Sequence, residues 1–342
     1  MKYALVLLSS LMLGLALAGR VFAQQVMDEA GGNRIKTPQE LFNERHLSPA
    51  EVDALVDRAI QQMQFDRDES TRHQAIDSLI PVGPWAAKAI PLLVEYIERG
   101  EWAGNAMEAL QAMGDAAAPA YVQLLASPNP RRRQSIAATR LAPPLTSPEL
   151  FDAYERVLHD KYWCVRSEAV WGLVGYGSKA VPILKSAYLE DSAPAVRSNA
   201  LFGLAAIRPI GRDVAQLFVA ALSDPATDVR VAAVVAMNNP DPPDDAYVPA
   251  LVQASSDPSM QVRESVAGSL ANIAPRVPAQ FQQATAALRK LEEDPSESAR
   301  RWAVLGIQRL HLLPLKPKHP PEFTGSQQQT TEFDRDCFGK QP

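Results

Sequence analysis

Histidine and cysteine are scarce in this chain of 342 residues, with five of the first and two of the second. His46, His73, His159, His311 and His319 never stand in a His-x3-His spacing, and none is followed by Glu. That removes the common helix-borne metal signatures. The two cysteines, Cys164 and Cys337, cannot form a Cys-x2-Cys knuckle. There is no Gly-x-Ser-x-Gly elbow and no Gly-rich phosphate loop. Hydrolysis from a nucleophile elbow and nucleotide binding therefore have no motif to rest on. Basic residues do not dominate: 34 Lys and Arg face 39 Asp and Glu, a net charge of −5. A nucleic-acid binder needs a basic footprint, so that class is disfavoured. Alternating strand patterns are missing as well. No catalytic residue, cofactor site or metal site emerges, and the expectation is a protein that is not an enzyme.

What is present is a repeat. It reads Asp, five residues, Arg, two residues, a small apolar residue, three residues, an aliphatic one. Asp160, Arg166, Ala169 and Leu173 form one copy. Asp191, Arg197, Ala200 and Leu204 form the next, then Asp224, Arg230, Ala233 and Met237. Asp257, Arg263, Val266 and Leu270 follow, and Asp294, Arg300, Ala303 and Ile307 come last. Upstream stands Asp66, Arg72, Ala75 and Leu79. From Asp160 to Asp294 the spacings are 31, 33, 33 and 37 residues. Two weaker copies fill the gap, one at Ser127, Arg133 and Ile136, the other at Ile97, Ala103, Ala106 and Leu110. A period of this size means stacked units, none able to bury its apolar face alone.

Each period holds two helical patterns. Numbered from its Asp, the second or motif helix carries apolar residues at +5, +9 and +13, one face of a 3.6-residue period. The first helix is shorter, often with Pro near its start, as in Val181-Pro182-Ile183-Leu184. Pro suits a first turn because its missing N–H costs nothing there. Asp224-Pro225, Asp257-Pro258 and Asp294-Pro295 punctuate the turns. The predicted fold is all-α, an α-solenoid of about eight helix pairs.

The stretches Asp224-Pro225-Ala226-Thr227-Asp228-Val229-Arg230 and Asp257-Pro258-Ser259-Met260-Gln261-Val262-Arg263 resemble HEAT repeats. They are most similar to the variety first described in phycobiliprotein lyases. The resemblance covers roughly residues 50 to 313. It implies that Asp160, Arg166, Asp191, Arg197, Asp224, Arg230, Asp257, Arg263, Asp294 and Arg300 form a structural ladder between turns. A residue repeated in every unit builds the unit rather than reacting in one of them. Arg133 takes a ladder place, and Arg131 and Arg132 read as a solvated turn. The resemblance also implies that the motif helices line a concave surface. HEAT-like deoxyhypusine hydroxylases carry repeated His-Glu pairs, which this chain lacks. HEAT-like DNA glycosylases need a basic concave face, and lyases of this type act on cytosolic pigments.

The ends frame the array. Lys2 precedes the runs Ala4–Leu8 and Leu11–Ala18, and Val21-Phe22-Ala23 supplies small residues before Gln24. Residues 1–23 read as a cleaved signal peptide, too short an apolar run for a lasting membrane span. No Cys near its end suggests a lipoprotein. Cleavage removes Lys2 and Arg20 and no acid, so the charge becomes −7. The expectation is a bacterial periplasmic or secreted protein. Such a compartment permits a Cys164–Cys337 bridge, though Cys164 reads equally well as a small packed thiol. Residues 24–47 read as a loose lead-in, 48–313 as the repeat domain, and 314–342 as a Pro/Gln-rich flexible tail.

One constellation suggests a site. Position +11 points away from the core positions, and there Trp171, Phe202 and Val235 fall in three consecutive repeats. Val231 at +7 and Val174 at +14 extend this strip. Elsewhere +11 is Asp77, Glu108, Ala138, Gly268 and, in the last copy, Leu305. An aligned apolar strip reads as a surface for a protein or peptide partner. The competing reading is ridge packing between neighbouring helices. The strip's restriction to the middle of the array favours binding. Two alternatives to a scaffold remain: an accessory or catalytic subunit acting on a glycan or cofactor-bearing substrate, with Trp171 and Trp163 stacking on it, and a structural spacer.

Overall fold

The computed structural model describes residues 48–139, 147–238, 244–311 and Cys337. The expected signal peptide, the lead-in and the tail other than Cys337 lie outside them. All regular structure among the described residues is helical, and the fold is an α-solenoid. The chain divides into two compact units at Leu124 and Leu125.

The first unit opens on α1 (Pro49–Phe65), which begins with a capping box. Ser48 and Glu51 satisfy each other's backbone N–H, and the Ser48 N–H reaches Glu51 Oε2 at 2.7 Å. Such reciprocal caps remove orphan donors at a helix start. Then come α2 (Glu69–Leu79), a tight 3₁₀ stretch at Ile80–Ala89, α3 (Ile90–Arg99) and α4 (Ala103–Ala112). Gly100 ends α3 in the left-handed conformation, φ 79°, which glycine adopts without a Cβ penalty. Val56, Met63, Leu79, Leu93, Ile97 and Leu110 make this unit's core. Helix α5 (Ala118–Leu125) ends at the boundary.

The second unit runs through α6 (Pro130–Ala137), α7 (Pro148–Val157), α8 (Trp163–Val174), α9 (Val181–Glu190) and α10 (Pro194–Ala206). It continues with α11 (Arg212–Ala221), α12 (Thr227–Ala236), α13 (Tyr247–Ala254), α14 (Met260–Ile273), α15 (Phe281–Leu291) and α16 (Glu297–His311). The motif helices are α6, α8, α10, α12, α14 and α16. In α8, α10, α12 and α14 the +5, +9 and +13 residues form the core: Val165, Ala169 and Leu173 are fully buried, as are Val229, Ala233 and Met237. Motif helices in this unit pack broadly on one another, while the first helices touch their own kind far less. The layer whose members approach more closely lies on the inner side of a bend. Small residues permit that approach. A Cβ on Gly203 would stand 3.0 Å from Val170 Cγ1 and 3.2 Å from Val174 Cγ2.

A ladder of ion pairs runs through the second unit. Arg133, Arg166, Arg197, Arg230 and Arg263 pair with Asp160, Asp191, Asp224, Asp257 and Asp294 of the following repeat. Four of these rungs are bidentate; Arg197, for example, donates to both Asp224 oxygens at 2.8 and 3.0 Å. The same guanidinium donates backward to the carbonyl that opens its own motif, as Arg230 does to Asp224 O at 3.0 Å. Each Asp also accepts an N–H two residues on, Asp257 from Ser259 at 2.7 Å. One residue pair thus shapes a turn and joins it to the next. Planar bidentate pairing is strong and directional. The ladder stops where the units divide. Arg72 donates to its own Asp66 carbonyl at 2.9 Å, but Ile97 stands where the next Asp would be, and Ser127 replaces the one after.

Candidate functional site

The strip residues lie on motif helices of the second unit. Trp171, Val174, Phe202 and Val235 are all half-buried. They come from α8, α10 and α12, one motif helix after another. Trp171, Phe202 and Val235 are set by the same register, since +11 points away from the first helix that covers +5, +9 and +13. Val174 leans on Gly203 of the next motif helix, so part of its surface is ridge packing. Leu305 occupies the same +11 position on α16 and is 41 % exposed. Between them Gly268 contributes no side chain, and the Trp302 ring lies 3.7 Å from where its Cβ would stand.

Val231 departs from the expected strip. It is 1 % exposed, and Ser167 at the same +7 position is 2 % exposed. The Ser167 hydroxyl accepts from Asn199 Nδ2 of α10 at 2.7 Å. Position +7 therefore faces the neighbouring motif helix. The helical wheel erred by counting one packing partner, when a motif helix inside the array has three. The bridge between Ser167 and Asn199 gave no signal in the pattern, because the two residues belong to different repeats.

Beneath the strip, α7 lies against the α8 backbone. A Cβ on Gly172 would fall 2.2 Å from the buried Tyr154 ring. The ladder lies at the turn end of the same helices. The hydrogen bonds they donate to Asp224 and Asp257 raise Arg197 and Arg230 above the ordinary guanidinium range. Arg263 holds the Asp294 carboxyl below the usual carboxylate range. Groups held so firmly in one charge state do not exchange protons near neutral pH. Arg300 donates to Asp294 O at 2.6 Å and Pro295 O at 2.9 Å. Among the described residues it has no carboxylate.

Cys164 and Cys337 form a disulfide, Cα–Cα 6.0 Å. The packed-thiol alternative for Cys164 is thereby excluded. Arg131 and Arg132 lie on α6 rather than in a turn. In the first unit His73 is half-buried. It stacks flat on Trp102 with centroids 4.4 Å apart, and its Nε2 lies 3.6 Å from Asp77. Asp77 also accepts from Asn105 at 2.7 Å. The first unit's motif helices are thus polar where those of the second are apolar.

Residues 147–238 and 214–308 match the family model described as HEAT repeats. Residues 147–308 are HEAT repeats. No curated protein matches the chain in sequence. Among solved structures, a designed armadillo repeat protein is 20 % identical, covering 56 % of this chain and 99 % of that one, TM-score 0.37. Computationally designed armadillo repeat proteins for modular peptide recognition are 19 % identical over 56 % of this chain and 99 % of theirs, TM-score 0.38. Human deoxyhypusine hydroxylase, in complex with glycerol, is 19 % identical over 77 % of this chain and 96 % of that one, TM-score 0.33. At such scores these likenesses say nothing of function. Among the described residues of the HEAT array and the first unit, no cluster of three His, Cys, Asp or Glu is placed to hold a metal ion. No described helix is long and apolar enough to cross a membrane.

Proposed function

We propose that this chain is an exported HEAT-repeat scaffold that binds a protein or peptide along the inner face of its second unit. Trp171 and Phe202 are the anchors, and Val235 extends the contact. The observation that carries the reading is the alignment of half-buried apolar side chains on consecutive motif helices. An anchor of this kind presents part of a large apolar surface while its base is held by packing, which limits the entropy lost on binding. Binding is by shape complementarity, and no reaction is assigned to the chain. Export is supported by the apolar N-terminal run and by the Cys164–Cys337 disulfide, a bond that persists in oxidising compartments.

The test is capture from periplasmic extract by the mature protein beside a Trp171→Ala/Phe202→Ala variant, with melting curves of both. A protein retained by the first and lost by the second, at matched folding, upholds the scaffold. If the variant chiefly loses thermal stability and captures the same proteins, the two residues are core and the strip is not a binding surface.

A further inference from the structure

A motif helix inside the array meets one motif helix before it and another after it. Position +10 meets the one after, as Val170 meets Gly203. There Val170, Leu201, Val234 and Ala267 are fully buried. Val304 takes that place on α16 and is 39 % exposed. A terminal repeat ordinarily turns a polar outer face to water, and this one turns an apolar residue. Position +12 is small where the preceding motif helix closes in: Gly203 lies against Val170 and Val174, and Gly306 against Ala271. Helix α2 keeps Ser78 at +12, yet among the described residues no motif helix precedes it.

The ladder is open at the same two places. The Arg300 Nη1 donates to Asp294 O and Pro295 O. Arg230 holds the same stance, and its Nε and Nη2 then grip Asp257. The rigid guanidinium fork therefore puts the Arg300 Nε and Nη2 where a following Asp would stand. At the other end the Asp66 turn is already formed. Its Oδ1 accepts from the Asp68 N–H at 2.9 Å, as Asp160 does from Tyr162. Among the described residues no Arg reaches the Asp66 carboxylate. Each end thus carries one half of a rung in rung geometry.

We propose that a second copy of this chain supplies the missing half. Arg300 of one copy grips Asp66 of the next, and α16 packs on α2. The polar positions match as well. Inside the array +7 meets +8, as Ser167 meets Asn199 at 2.7 Å, and +14 meets +12, as Asn238 meets Ser269 at 2.7 Å. Across the copies these places bring Arg301 to Gln74 and Gln308 to Ser78, a donor facing an acceptor each time. Val304 is covered, and Phe65, exposed beside Asp66, adds apolar surface. Such a head-to-tail contact is heterologous, so copies form a ring or an open chain according to the rotation at each joint. The stacking uses the two ends of the array and is independent of the strip.

The experiment is sedimentation velocity of the mature, oxidised protein over a concentration series. Beside it run Arg300→Asp, Asp66→Arg and an equal mixture of those two variants. The wild type should associate as concentration rises. Each variant alone sets like charges against each other at the joint, which should weaken association at least about thirtyfold. The mixture should associate again, because the Asp66→Arg protein keeps Arg300 and the Arg300→Asp protein keeps Asp66. A wild type that is monomeric at every attainable concentration overturns the proposal, as does a mixture no more associated than its components. Association lost in Arg300→Asp but untouched in Asp66→Arg assigns the α16 face to a two-fold contact and also overturns it. If melting curves show that a charge variant does not fold, Val304→Ser and Gln74→Arg decide instead. Both positions are exposed and stand at opposite ends. Each should weaken association about tenfold, and indifference to either one refutes the stacking.

Discussion

Replacing Arg230 with Ala cuts a rung in the middle of the ladder. Arg230 gives two hydrogen bonds to Asp257, at 2.8 and 3.0 Å, and two more to Asp224 O and Pro225 O at 3.0 and 3.2 Å. The pair's side chains are only 12 % and 9 % exposed. Removing the cation leaves the Asp257 carboxylate largely buried with one remaining N–H donor, from Ser259. Breaking a buried pair from one side costs about 3 kcal/mol. Arg300→Ala is the control. That guanidinium makes the same backward contacts but, among the described residues, meets no following carboxylate. Its loss should cost about 1 kcal/mol, the net worth of ordinary hydrogen bonds. In urea titrations followed by circular dichroism, a slope of about 2 kcal/mol/M turns these into midpoint shifts of about 1.5 and 0.5 M. Arg230→Lys should fall between them, since an ammonium cannot grip both carboxylate oxygens in one plane. If Arg230→Ala and Arg300→Ala shift the midpoint equally, the rung between repeats contributes nothing and the ladder argument is refuted.

Three further outcomes follow from the same packing. Gly172→Ala should destabilise by about 1–3 kcal/mol, the cost of overpacking, because its Cβ meets the Tyr154 ring; Gly104→Ala, with nothing within 4 Å of the new Cβ, should stabilise by about 0.5–1 kcal/mol; thermal melts decide both. Cys337→Ser, or reduction of the wild type, should remove about 2–4 kcal/mol, and reductant should then leave the Cys337→Ser melting temperature unchanged. Asp294 has a folded pKa below its ordinary 3.8. Its contribution is therefore complete above about pH 4 and lost as the pH falls through the lower folded value. Asp294→Asn should lose stability near neutral pH and show a shallower acid decline in urea midpoints; an unchanged acid decline would count against the pair.

The solenoid was legible in the chain because its signals are local and repeated. Asp at the turn, Arg six residues on and apolar residues at +5, +9 and +13 each report a short-range constraint. Eight weak copies reinforce one another, and even the copy at Ile97 keeps Ala106 and Leu110 in the core. The division into units was not read from the sequence, where 48–313 stands as one repeat domain, although the charges missing at Ile97 and Ser127 interrupt the ladder near where the units part. The strip was legible as a register, but its membership was not. Whether a +7 residue meets solvent depends on the neighbouring motif helix, so Val231 is buried although its spacing suggested otherwise.

The sequence by itself determined the helical class, the period, the core positions and the acidic character, all set by residue type and spacing along one segment. Tertiary structure alone decided what crosses between segments. It joined Cys164 to Cys337, 173 residues apart. It paired Arg133, Arg166, Arg197, Arg230 and Arg263 with the Asp of the next repeat, and closed over Val231 while leaving Trp171, Phe202 and Val235 half-buried. These depend on how repeats stack, and stacking is set by contacts such as Gly203 against Val170 that no single repeat contains.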